Sequence, residues 1–181
     1  MAEGHRQAVE ATAHALGSLP AGMWAVIHDA AWPDRALATI DHVVIGPQGV
    51  FVIDSKDWTG RITVEGGTLR QDGIALSSTV PDATTAAAAV ASLVPTEHRD
   101  HVRAVICIGG SEGPIALVGD VLVCSSTALV TLLTTRPTVL SDEAVAAVAG
   151  ALRSHLREQK GRSRTGLMGA LLGVVRRRKP R

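Results

Sequence analysis

Apolar and polar positions alternate along this chain in two rhythms. Between residues 5 and 17, Val9, Ala13 and Leu16 recur at three- and four-residue spacing, which predicts an amphipathic helix stopped by Gly17 and Pro20. Met23 to His28 then reads as a strand, and Ala30 to Arg35, with Trp32 and Pro33, as a loop. Two β-branched runs flank Gly46-Pro47-Gln48-Gly49, a four-residue connection of the kind that joins antiparallel strands. A strand over Arg61 to Glu65 follows the turn Trp58-Thr59-Gly60, and Thr68 to Gln71 pairs back across Gly66-Gly67. Asp82 to Leu93, alanine-rich and without Gly or Pro, predicts a helix. Val102 to Ile108 and Val121 to Cys124 are short apolar runs that suit strands covered on both faces. Helices are expected over Thr127 to Leu133 and, after a Ser141 N-cap with Asp142 and Glu143 in its first turn, over Asp142 to Glu158. Helix, then a mixed sheet, then alternating strand and helix predicts an α/β sandwich.

The hairpin carries the chemistry. If Ile45 pairs with Val50, then Val43 pairs with Val52, Asp41 with Asp54 and Thr39 with Lys56. Side chains alternate along a strand, so Asp41, Asp54 and Lys56 then share one face. Two carboxylates directly opposite each other repel, and a divalent cation removes that penalty. The plainer reading of the same spacing is a solvated sheet face on which Lys56 is the counter-ion. His42 points to the opposite face, as a packed or hydrogen-bonded histidine.

Residues 40–60, IDHVVIGPQGVFVIDSKDWTG, resemble the core of the nuclease-related domain (NERD) family, without gaps over these 21 residues. Outside this stretch the resemblance weakens to a helix and strand order. The family's fold resembles restriction endonucleases of the PD-(D/E)xK type, which implies a central mixed sheet flanked by helices, with the antiparallel hairpin carrying the site. The resemblance implies Asp41 and Asp54 as metal carboxylates, Lys56 as the lysine of the D-x-K triplet, and a Mg²⁺-dependent nuclease acting on phosphodiester bonds of DNA. Mg²⁺ takes oxygen ligands and keeps waters, so Asp41, Asp54 and the Ser55 carbonyl suffice when a phosphate completes the shell. The family usually opens its first helix with Gly-Glu; here Gly4 is followed by His5, so the family's glutamate is missing or displaced to Glu3 or Glu10. His5 binds Mg²⁺ poorly and suits Mn²⁺ better, while Glu10, two turns in, either faces the sheet or lies on the helix surface. The departure makes a catalytically inactive nucleic-acid-binding module the alternative. Trp58 and Gly60 match the family pattern as a lid on the core edge and a turn residue of positive φ.

Composition changes this picture in two places. The 181 residues suit one domain, with aliphatic side chains building the core, because there are three Trp, one Phe and no Tyr. Scarce aromatics speak against a stacking platform for single-stranded nucleic acid. The charge is segregated: residues 160–181 hold eight basic side chains and no acid, which leaves ten basic against 17 acidic in the body. A NERD-like domain over 1–159 and a basic, partly apolar, flexible tail over 160–181 follow. Arg176, Arg177, Arg178 and Lys179 suit DNA phosphates. Leu167 to Val175 is apolar but nine residues long, enough to lie on an anionic membrane surface and too short to span one.

The remaining residues read as structural. Cys107 and Cys124 sit in apolar runs without metal-ligand spacing, as buried thiols of an intracellular chain. Together with a start that is no signal peptide, they suggest a cytoplasmic protein, peripheral at the membrane if the tail anchors it. His98 and His101 form an HxxH without a third ligand nearby, and Ser125-Ser126 reads as a helix cap. No nucleotide-cofactor motif is present.

Overall fold

A computed structural model describes residues 3–32, 35, 38–110 and 113–156. The tail over 160–181, with Arg176, Arg177, Arg178 and Lys179 and its apolar stretch, lies outside the described residues, as does the domain boundary at 159. In chain order the elements are α1 (Glu3–Leu16), β1 (Ala25–Ala31), β2 (Thr39–Gly46), β3 (Gly49–Lys56), β4 (Ile62–Glu65), β5 (Thr68–Gln71), β6 (Ile74–Ala75) and α2 (Thr79–Ala91). A 3₁₀ helix (Thr96–His101), β7 (Val102–Ile108), β8 (Ala116–Val118), β9 (Val121–Ser125), α3 (Leu129–Thr134) and a last helix, α4 (residues 142–156), follow.

Six strands form one mixed sheet in the order β1-β2-β3-β7-β9-β8, and β4-β5-β6 form a small second one. The hairpin β2-β3 keeps the expected register, Ile45 with Val50 and Val43 with Val52. β3 then runs parallel to β7, and β7 to β9. Alternation sorts the side chains of these strands. Val43, Ile45, Val50 and Val52 pack with Ala86 and Val90 of α2 and Val148 and Leu152 of α4. Val44, Phe51, Ile53, Val105 and Cys107 pack on the other side with Leu16 of α1 and Leu129 and Leu133 of α3. The result is an α/β/α sandwich with a mixed central sheet, compatible with a restriction-endonuclease-like fold.

Several boundaries differ from the expected ones, each for a physical reason. β1 runs on to Ala31, because pairing with β2 down to Ala31 and Thr39 draws in residues that locally read as a loop. It does so at the expense of Asp29, whose φ is 50°. α2 begins at Thr79, three residues early, and takes Pro81 into its first turn, where a missing N–H costs nothing. β8 and β6 are too short to leave a periodic signal. Ser125 and Ser126 do not cap α3: the N-cap is Ala128 without a side-chain bond. The Ser126 hydroxyl instead donates to the Gly110 carbonyl at 3.1 Å and ties the ends of β9 and β7 together. Ser141 does cap α4, accepting from the Ala144 N–H at 3.2 Å. Trp58 packs against the core edge, and Gly60 has φ +81°.

Helix α1 lies unusually close to the sheet. A Cβ at Gly109 would come within 2.9 Å of both Cα and Cβ of Ala8. One turn on, the Thr12 hydroxyl is bound to three partners: it donates to the Ala8 carbonyl at 2.9 Å or the Cys107 sulfur at 3.4 Å, and accepts from the Ser55 hydroxyl at 3.1 Å. Small residues therefore set the height of α1 above β3 and β7. Gly109→Ala is expected to lower stability by about 1–3 kcal/mol, the usual cost of overpacking, in a urea melt.

Candidate active site at the end of the hairpin

The β2-β3 ladder stops one step short of Asp41 and Asp54, with His42 and Ile53 as its last pair. There the backbone partner is replaced by a side chain. Asp41 Oδ2 accepts the Ser55 N–H at 2.8 Å, so the carboxylate closes the sheet where a carbonyl ordinarily would. Its side chain is 12 % exposed, and His5 of α1 brings Nε2 to 3.5 Å from Oδ1. Asp54 stands on the same face and is 28 % exposed, with Lys56 Nζ at 2.8 Å from its Oδ2. Asp41, Asp54, Lys56 and His5 thus converge, while Ser55 contributes through its backbone and sends its hydroxyl to α1.

Burial above all pushes the Asp41 carboxyl above the ordinary carboxylate range, and the Asp54 charge adds to it. The Ser55 N–H, His5 and Lys56 pull the other way and do not fully offset it. The site therefore holds a carboxylate short of positive charge. The sign for stability follows: as pH rises from the unfolded value of 3.8 through the raised folded one, ionising Asp41 takes stability away.

Glu10 does not join the group. It is 71 % exposed on α1 and faces Arg6 at 4.0 Å, and it lines a largely apolar cleft of about 220 Å³ together with Val9, Ala13, His28 and Asp41. His42 turns to the α1 side, as strand alternation requires, and shares a 2.8 Å hydrogen bond between Nδ1 atoms with His28 across β1-β2. His98 and His101 lie in the 3₁₀ helix. Among the described residues no three or more His, Cys, Asp or Glu side chains are grouped so as to hold a metal ion. Asp41 and Asp54 could therefore hold one only with water or a ligand completing the shell. Cys107 and Cys124 are free buried thiols; their mutual hydrogen bond and burial push the Cys124 thiol far up, out of reach of thiolate chemistry.

Three residues of the site escaped sequence reasoning. A cavity of about 300 Å³ is lined by Asp41, Asp54 and Lys56 together with Trp32, Arg35 and Asp82. Asp82 sits in the first turn of α2, and Arg35 stacks its guanidinium 4.6 Å from the centre of the Trp32 ring. The one local signal was an arginine three residues after a tryptophan in a chain poor in aromatics.

Burial, with His28 adding to it, holds His42 down at about 4, from an ordinary 6.5. As pH falls below 6.5 the unfolded chain protonates this residue first, so the folded state loses ground. Wild-type protein is expected to lose about 2 kcal/mol between pH 6.5 and 5, at about 1.4 kcal/mol per pH unit. Urea melts of His42→Gln at pH 7 and pH 5 should differ correspondingly less.

Among the described residues no helix is long and apolar enough to cross a membrane. No curated protein and no solved structure matches the chain. The nuclease-related domain family matches residues 4–109, a span that opens at the Gly4-His5 pair, runs through the whole hairpin and ends at the Gly109 beneath α1. Over more than half its length, and through every residue of the converging group, the chain belongs to the nuclease-related domain family.

Proposed function

We propose that this domain hydrolyses phosphodiester bonds of DNA with a divalent cation, held by Asp41 and Asp54. One observation carries the reading: a carboxylate nine-tenths buried is kept beside a second one and remains short of positive charge. The residues fit a cation of the Mg²⁺ type, which is bound by one or two carboxylates plus water and substrate phosphate and not by an all-protein cage. When bound, the cation supplies Lewis acidity and lowers the pKa of a water. Lys56, already charge-paired with Asp54, orients the attacking water or stabilises the charge that develops on the phosphate. The Ser55 N–H fixes the Asp41 carboxylate in place. His5, where the family carries a glutamate, puts an imidazole nitrogen against Asp41 and favours Mn²⁺ over Mg²⁺.

A second reading has its own support. His5 in place of the glutamate, and Glu10 turned away to Arg6, leave two carboxylates where a hydrolase of this type would use more. On that reading the domain binds nucleic acid without cutting it, and the basic tail supplies phosphate contacts.

Calorimetry with Mg²⁺ and Mn²⁺, with and without a DNA duplex, separates the two. The hydrolytic reading expects Mn²⁺ to bind more tightly than Mg²⁺, binding to vanish in Asp41→Ala and Asp54→Ala, and His5→Glu to shift preference toward Mg²⁺. Cleavage in Mn²⁺ should fall about 10²–10³-fold in Lys56→Ala, the usual cost of removing one transition-state donor. DNA binding with no metal uptake and no cleavage would instead establish the binding module.

A further inference from the structure

The cavity over the converging group has a wall that hydrolysis alone does not explain. Trp32 follows β1, packs its ring against the core beside Val52 and Ile40, and is therefore anchored. Backbone bonds close the loop it opens: Trp32 N–H to the Ala38 carbonyl at 2.9 Å and Arg35 N–H to the Trp32 carbonyl at 3.3 Å. Arg35, an exposed residue, is held over the ring at 4.6 Å. Asp41, Asp54 and Asp82 line the same cavity, yet Arg35 makes no ion pair with any of them. Lys56 is committed to Asp54. Among the described residues Arg35 is thus the cation of this cavity whose charge is left for a ligand.

Size decides what that ligand can be. About 300 Å³ is the scale of a small-molecule pocket, and an intact duplex cannot enter it. Asp54 and Lys56, each more than two-thirds covered, lie within it and not on an open sheet face, so a scissile phosphate must come in to them. An unpaired nucleotide meets the walls well: its base stacks on a guanidinium plane backed by an indole, and its phosphate meets a free positive charge.

We propose that Trp32 and Arg35 position an unpaired nucleotide over Asp41, Asp54 and Lys56, so that the substrate is single-stranded nucleic acid or a duplex end carrying a single-stranded overhang. This rests on the reading of those three residues as a phosphodiester site. It runs against the expectation from composition, because one guanidinium backed by one indole makes a stacking position without a row of aromatics.

Fluorescence anisotropy of the full chain in EDTA, at about 0.15 M salt, compares a blunt duplex with the same duplex bearing a short overhang. The basic tail attracts both by its sequence-independent charge, so the difference reports the cavity. Wild type is expected to bind the overhang about 10-fold more tightly, the contribution of one stacked base. Arg35→Ala and Trp32→Ala should bring the overhang down to the blunt duplex. Trp32 touches the core, so Arg35→Ala, the exposed partner, is the decisive variant, with an unchanged thermal melt as its control. Equal affinity of wild type for both ligands, or a preference that survives Arg35→Ala, overturns the proposal. Cleavage in Mn²⁺ is a separate readout: its absence removes the hydrolytic reading, while the overhang preference in EDTA still decides the role of the pair.

Discussion

The Ser55 N–H is bonded to a side chain where the strand pattern would offer it a carbonyl, and the arrangement of the site follows from that exchange. A charge-assisted bond of 2.8 Å is stronger than the ladder bond it stands in for, so β3 continues past the end of its pairing with β2 without an orphaned donor. The same bond pins a carboxylate at the end of the β2-β3 ladder, largely out of water, against its own solvation. Asp54, one residue before Ser55, necessarily falls on the Asp41 face, and Lys56 one residue after it does too. Three charged groups are thus placed by one backbone hydrogen bond and the pleat.

What brings α1 to this end of the sheet is the absence of side-chain bulk. Gly109 and Ala8 meet with no room for another carbon, and the Thr12 hydroxyl links Ser55 and Cys107 across the interface. His5 lies two turns before Thr12 along the helix, so its approach to Asp41 depends on contacts some distance away. Ser55 takes part in both devices, through its N–H to Asp41 and through its hydroxyl to Thr12. A change on the α1 side of the sheet is therefore felt at the charged group on the other side.

The hairpin was legible because its register is written locally: two β-branched runs about a short turn admit one pairing that buries both faces, and Ile45 with Val50 is that pairing. Ser141 as a cap and the Gly66-Gly67 turn were legible for the same reason. The substitution of the Asp41 side chain for a ladder carbonyl was not, since alternation says where a side chain points and not which donor it meets. Ser125 and Ser126 look like a cap in sequence, yet the Ser125 hydroxyl goes to Thr127 and Ser126 serves as a tie between strands, because Gly110 is brought to it only by the parallel pairing of β7 and β9. Trp32, Arg35 and Asp82 were illegible as site residues for a like reason. They come from the loop after β1 and the start of α2, and nothing in either segment records that the sheet places both over Asp54.

The electrostatics weigh between a surface ion pair and a functional group of charges. An exposed Lys–Asp pair contributes little to stability, and had Lys56 and Asp54 stood alone, a solvated face would account for them. Asp41 changes the balance. Its raised pKa means that the folded state holds a charge it would rather neutralise, and Lys56 is engaged with Asp54. A fold under selection for stability alone would replace such a group with a neutral isostere, keeping the bond to Ser55 and shedding the cost. Retaining the carboxylate makes physical sense where something outside the chain brings positive charge to it. On the proposed function that agent is a divalent cation held between two carboxylates on one face, and His5 at the corner, an imidazole nitrogen 3.5 Å from Asp41, bears on which one.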